Sequence, residues 1–216
     1  MTLAEKAVEI AIGYIGVKES PPGSNRGPQV DRFLAATGLS GAPWCAAFVF
    51  AVYQEAAKAL QAPNPFADIK EPARAFAYRE WGRRHNCVVK EKGDQKNHHY
   101  APGMLVVFDF SHIGIVEKDL GDGTVQTIEG NTDAKGSRTG GQVMRKIRQL
   151  KSGDVVVGVR ETAPISLPPK ESYIRFLNVG WTGVLRDIPI DKRSGHPDII
   201  AANAITRHVK DAFNLD

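Results

Sequence analysis

Apolar positions recur along this chain with two different periods, and the change falls near residue 87. In the first part the period is helical. Leu3, Ala7, Ile10, Ala11, Tyr14 and Ile15 lie on one face, and Thr2 with Glu5 forms a capping box, so a helix is predicted over residues 3–16. Pro21-Pro22-Gly23-Ser24-Asn25-Arg26-Gly27 carries the chemistry of a loop. Pro28 suits the first turn of a short helix running to Gly38, with Val30, Phe33 and Leu34 inward. Gly41-Ala42-Pro43 interrupts again, and an alanine-rich apolar run from Trp44 to about Leu60 reads as a buried central helix. Pro72 opens a further helix to about Arg83.

Beyond that point the pattern shortens to β-branched runs at 88–89, 104–108, 113–116, 125–128, 143–147 and 155–159, separated by Gly, Asp or Lys. Gly121-Asp122-Gly123 is predicted to be a hairpin turn, which would pair 112–116 with 125–129 as antiparallel neighbours. Helices first and strands second make an α+β domain, its N-terminal helices packed on a curled antiparallel sheet. This domain is expected to span residues 1–160. Three prolines (Pro164, Pro168, Pro169) then suggest a linker, followed by a helical extension at 197–213 within residues 161–216. Ala202, Ile205, Val209 and Phe213 share a face of that helix, which would pack back on the domain or meet a partner: a secretion carrier, a virion protein or an immunity protein.

Composition narrows the class. With 42% hydrophobic and 24% charged residues among 216, and only 2 cysteines, disordered, collagenous and disulfide-scaffold readings are excluded. No apolar stretch approaches the ~20 residues of a membrane span. The net charge of +4 favours an anionic partner weakly, and no cluster of basic residues supports nucleic acid. An acid at Glu5 and no basic n-region argue against a signal peptide, so synthesis in the cytoplasm is expected, and any work outside it would need another exit route.

Candidate chemistry centres on Cys45, at the start of the buried helix. Unsatisfied N–H groups and the helix dipole there favour a thiolate and can hold an oxyanion. Burial as a small hydrophobe is the alternative. His112 begins a strand and can serve as the base for that thiol. Glu129 and Asn131 would approach it from the paired strand and fix its tautomer; the alternative is a strand-ending turn built on Gly130. Trp44 either lines a substrate groove or anchors the helix start in the core. His85, Cys87, His98 and His99 match no zinc spacing, and the polar stretch 90–100 suits solvated histidines. A Cys45–Cys87 disulfide would remove the nucleophile and is not expected without an oxidising compartment.

The stretches Ala42-Pro43-Trp44-Cys45-Ala46-Ala47-Phe48-Val49, Ser111-His112-Ile113-Gly114-Ile115-Val116 and Ile128-Glu129-Gly130-Asn131-Thr132 resemble the CHAP family, the cysteine- and histidine-dependent amidohydrolases/peptidases. The resemblance covers about residues 25–160. It implies a papain-like scaffold and hydrolysis of a peptidoglycan amide, at the muramoyl–alanine bond or within the peptide, by a phage lysis or virion enzyme or an antibacterial effector that would reach the cell wall after lysis, injection or secretion. By the same resemblance Cys45 is the nucleophile, His112 the base, Glu129 the orienting acid and Asn131 a supporting polar group. The acidic calcium loop of some members has no match here, where Asp31 stands alone, so no metal and no cofactor are expected. The competing class is a catalytically inactive wall-binding or partner-docking module, which would lack one of these groups.

Overall fold

The computed structural model describes residues 1–91, 93 and 95–159; the proline-bearing segment, Trp181 and the helix expected at 197–213 lie outside the described residues. Four helices precede six strands among them, in the order the periodicity implies. In α1 (Leu3–Gly13) the capping box forms: the Glu5 N–H donates to Thr2 Oγ1 at 3.1 Å and the Thr2 N–H to Glu5 Oε2 at 2.8 Å. The helix stops short of the expected residue 16 because sheet bonds compete for the chain. The Gly16 N–H donates to Val143 O, the Val143 N–H to Val17 O and the Glu19 N–H to Gly141 O. Residues 16–19 thus run beside the sheet instead of coiling.

Pro28 sits at the first turn of α2 (Pro28–Ala35) as predicted. The central helix, α3 (Cys45–Ala59), buries eleven of its side chains, five of them alanines whose small size lets the helix lie close to its neighbours. It packs on α1 and α2 on one side and on two strands on the other. Helix α4 (Ala75–Arg84) starts later than Pro72, since a turn closed by the Arg74 N–H on Glu71 O occupies the intervening residues.

The strands are β1 (Val88–Lys90), β2 (Leu105–Phe108), β3 (His112–Gly121), β4 (Thr124–Thr132), β5 (Gln142–Gln149) and β6 (Val155–Val157). They form one sheet of order β1-β6-β2-β3-β4-β5, every neighbouring pair antiparallel. The fold is α+β, consistent with a papain-like architecture, but the expected curl is at most weak. The edge strand β1 and its neighbour β6 have three residues each, too little chain to wrap that side of the sheet round the helices. Between β3 and β4, Asp122 and Gly123 both take positive φ (52° and 72°), the geometry of a two-residue hairpin turn.

Alternation sorts the strand residues onto two faces. Leu105, Val107, Ile113, Ile115, Ile128 and Val157 join the helix-facing core, while Val106, Phe108, Val116, Val125 and Val156 join a second cluster with Tyr100 and Leu150. The stretch leading to β2 is therefore not solvated throughout, as its polarity suggests. Tyr100 is fully buried and its hydroxyl bonds Gln95, whose amide donates to Asp154 O at 3.2 Å. No helix among the described residues is long and apolar enough to cross a membrane.

Candidate active site

Three elements converge at one end of the sheet. The first is the start of α3. Trp44 occupies its N-cap position, no side chain caps it, and its first turn holds no acidic residue. The earliest recorded bond of that turn is the Phe48 N–H to Trp44 O at 2.8 Å. N–H groups before it have no intrahelical acceptor, so this helix end keeps its partial positive charge beside Cys45. The Tyr78 hydroxyl ties α4 to the same turn, lying 3.0 Å from Pro72 O and 3.3 Å from Ala46 O. Burial, with the charge of Cys45 added, holds its pKa well above 10.

The second element is the β2–β3 hairpin. Phe108 pairs with His112 across a loop of three residues, and Ser111 takes φ 62°, the left-handed conformation such a loop requires. Asp154 clamps this loop: one carboxylate oxygen accepts the Asp109 N–H at 3.1 Å and the other the Lys151 N–H at 2.9 Å. His112 is completely buried, and its ring stacks on Phe108 and Phe110 with centroids 5.9 and 5.8 Å away.

The third element is β4, and the local sequence Glu129-Gly130-Asn131 has a physical reason at each position. Glu129 lies on the same face as Gly114, where a Cβ would come 2.8 Å from Glu129 Cγ; glycine leaves the glutamate room to cross the strand. Gly130 faces the other way. A Cβ there would come 2.7 Å from Phe48 Cβ and 2.9 Å from Trp44 Cζ3, so its absence lets α3 approach the sheet. Asn131 takes φ 55°, which asparagine tolerates better than most residues, and the β4–β5 register shifts there. The strand-ending turn weighed for Gly130 is thus replaced by a close helix contact inside β4.

Every lone-pair direction of Glu129 finds a donor. Its Oε2 lies 3.0 Å from His112 Nε2 and 2.5 Å from Arg148 Nη2; its Oε1 accepts Arg148 Nε at 2.8 Å and the Thr127 hydroxyl at 2.6 Å. Burial opposes ionisation, but Arg148 and His112 outweigh it and lower the Glu129 pKa to about 2. For His112 the balance is similar. Burial disfavours the imidazolium, and Cys45 together with Glu129 overcomes it, raising the pKa to about 9. With Nε2 given to Glu129, Nδ1 is the remaining ring nitrogen, buried and without a well-formed hydrogen bond.

The structure therefore brings Cys45, His112 and Glu129 together. Asn131 lies two residues beyond Glu129, yet both polar atoms of its amide are buried without partners. Of the two alternatives for Trp44, the structure realises the core anchor. Its side chain is fully buried, stacked on Phe33 at 5.9 Å, and its indole N–H donates to Glu19 Oε1 at 2.8 Å. It lines no groove.

Sequence reasoning missed Arg148, Thr127 and Asp154. Nothing in Arg145-Lys146-Ile147-Arg148 marks which cation turns inward; the register that pairs Arg148 with Val125 decides it. Its guanidinium also lies 5.0 Å from the Phe108 ring centroid, which fixes the fork that grips Glu129.

Two further histidines pair off separately. His85 Nε2 lies 2.8 Å from Asp68, and His99 Nδ1 lies 3.0 Å from Asp119. Both cysteines are free thiols. No group of three or more His, Cys, Asp or Glu side chains among the described residues is arranged to hold a metal ion, and Asp31 pairs with Arg26 at 3.4 Å.

No curated protein and no solved structure gives a significant match to the chain. Residues 37–131, which hold Cys45, His112, Glu129 and Asn131, match the family model described as the CHAP domain, and the activity this match suggests is that of an amidase or peptidase on peptidoglycan.

Proposed function

We propose that this protein hydrolyses an amide bond of peptidoglycan with Cys45 as nucleophile. The observation that carries the reading is the buried line of Cys45, His112 and Glu129, in which His112 is held as a cation to about pH 9 beside a thiol. An imidazolium beside a cysteine sulfur at an uncapped helix end is the arrangement of a nucleophile with its proton donor and an oxyanion site.

In the forward step the Cys45 sulfur attacks the amide carbonyl, and the oxyanion that forms is met by the free N–H groups of the first turn of α3. His112 gives its proton to the departing amine, leaving a thioester on Cys45. The neutral imidazole then takes a proton from water, whose oxygen attacks the thioester and frees the acid. Glu129 acts through His112 as a positioning residue, with Arg148 and Thr127 holding it in turn. Asn131, with an amide donor and acceptor both unpartnered, offers a polar contact at the same end of β4.

Digestion of purified peptidoglycan by the wild type and Cys45→Ala, with products identified by mass spectrometry, tests the reading. New fragments from the wild type and none from the variant are the expected result. The freed end then names the bond: an intact stem peptide for an amidase, a truncated one for an endopeptidase. Walls of several chemotypes left uncut by both proteins would overturn the hydrolase.

A further inference from the structure

A second buried carboxylate, Glu19, is solved differently from Glu129. It is 7% exposed, and one oxygen accepts the Trp44 indole N–H while the other, Oε2, is buried with no hydrogen-bond partner. No ion pair involving Glu19 is found among the described residues, although Lys18 is its neighbour in sequence. Beside it lies a cavity of about 240 Å³ lined by Lys18, Glu19, Pro22, Gly23, Gly140, Gly141 and Gln142.

Two links place this cavity next to the site. Trp44 joins Glu19 to the residue preceding Cys45. On the other wall, the Gly140 N–H donates to Asn131 O at 3.1 Å. Glu19 is held there by its own N–H, which donates to Gly141 O at 2.9 Å. A Cβ on Gly141 would lie 3.1 Å from Glu19 Oε2, so glycine leaves room beside that oxygen on the cavity wall, and φ of +75° suits glycine there. A buried carboxylate lacking a cation is complementary to one supplied from outside.

We propose that the cavity beside Glu19 is a substrate subsite for a primary ammonium group, with Glu19 its specificity residue. The inference rests on the hydrolase reading, since a peptidoglycan stem peptide is the carrier of such an amine. It does not depend on which amide is cut.

The first test compares hydrolysis of purified peptidoglycan with its free amines intact or acetylated. The wild type should lose about ten- to a hundredfold in kcat/KM on the acetylated wall, the range set by one charge-assisted contact. Glu19→Gln keeps the shape and an acceptor for the Trp44 indole; it should cut the two walls at rates within about threefold of each other. Wild-type rates that ignore acetylation, or a folded E19Q that keeps the full preference, would overturn the subsite.

The second test needs no catalysis. n-Propylammonium titrated into the full chain should shift the Trp44 indole N–H resonance saturably, whereas N-acetylpropylamine should not. An unmoved resonance, or equal shifts from both, would overturn the subsite even if E19Q failed to fold. A saturable shift in a protein that cuts no wall would instead keep the subsite and remove the hydrolase.

Discussion

Two regions of this molecule contain the same residue types, a cysteine, a histidine and a carboxylate, and only one of them buries all three together. In the first, Cys45, His112 and Glu129 are all buried and meet at one end of the sheet. In the second, Cys87 is buried in the core and its thiol donates to a backbone oxygen, the His85 carbonyl at 3.4 Å, while His85 pairs with an exposed Asp68. The distances of the two His–carboxylate pairs are alike, 3.0 and 2.8 Å. What differs is solvent. At the surface water screens the pair and it contributes little. In the interior the same pair must be satisfied completely, and it then controls the protonation of the groups around it.

The largest contrast should appear in the two thiols. Cys45→Ala is expected to lower the rate of peptidoglycan fragment release by about 10⁴-fold or more, as loss of a covalent nucleophile does. Cys87→Ala should leave it within about threefold, since only stability is touched. Equal losses from both, measured on folded protein, would erase the distinction between the regions.

Next comes the support of each carboxylate. Arg148→Ala leaves Glu129 buried beside His112 without its bidentate partner, and should cost about 3–5 kcal/mol in urea unfolding. Arg148→Lys should recover only part of this, because an ammonium cannot reproduce the fork. Asp68→Ala should cost less, about 1–2 kcal/mol, most of it from the Trp81 indole N–H that Asp68 accepts at 2.8 Å and little from the exposed ion pairs.

A third contrast is in pH. His112 has its folded pKa raised to about 9 from 6.5, so the stability it contributes is fully present below about 6.5 and is lost as pH rises through 9. Glu129 has its folded pKa lowered to about 2 from 4.5, so its contribution is present above about 4.5 and is lost as pH falls towards 2. Stability from this network should therefore plateau between about 4.5 and 6.5, and His112→Ala should remove the alkaline decline in a series of thermal unfolding curves. An unchanged alkaline limb in that variant would place the titration elsewhere. Activity carried by the ion pair should fall along the same alkaline limb. The smallest expected effect is at the exposed partner of Asp119: His99→Ala should alter unfolding free energy by no more than about 0.5 kcal/mol.

Much of the site was legible because its signals are local. A Pro-Trp-Cys at the start of an apolar run, a histidine opening a β-branched stretch and a Glu-Gly-Asn after the next one can each be read within a few residues. The hairpin at Asp122-Gly123 makes the second and third stretches antiparallel neighbours, but two register shifts between Val116 and Gly121 decide which residues oppose each other at the site, and those were not legible. Arg148 was not legible for the converse reason. It lies on an edge strand among exposed cations, and its inward turn depends on strand pairing set over long sequence separation.

Trp44 shows the same division on a single residue. Its position before Cys45 suited both a groove wall and a core anchor, and the choice fell to Phe33 and Glu19, neither adjacent to it in the chain. By itself, then, the sequence determined the order of elements and the α+β class, and it singled out Cys45, His112 and Glu129 as candidates, because periodicity, caps and turn chemistry act over short range. The tertiary structure alone decided which cation grips Glu129, that Trp44 is sealed in the core and that Glu19 keeps an oxygen unpaired. Those outcomes depend on burial and on contacts between distant segments, where the cost of an unsatisfied charge is set by everything that surrounds it.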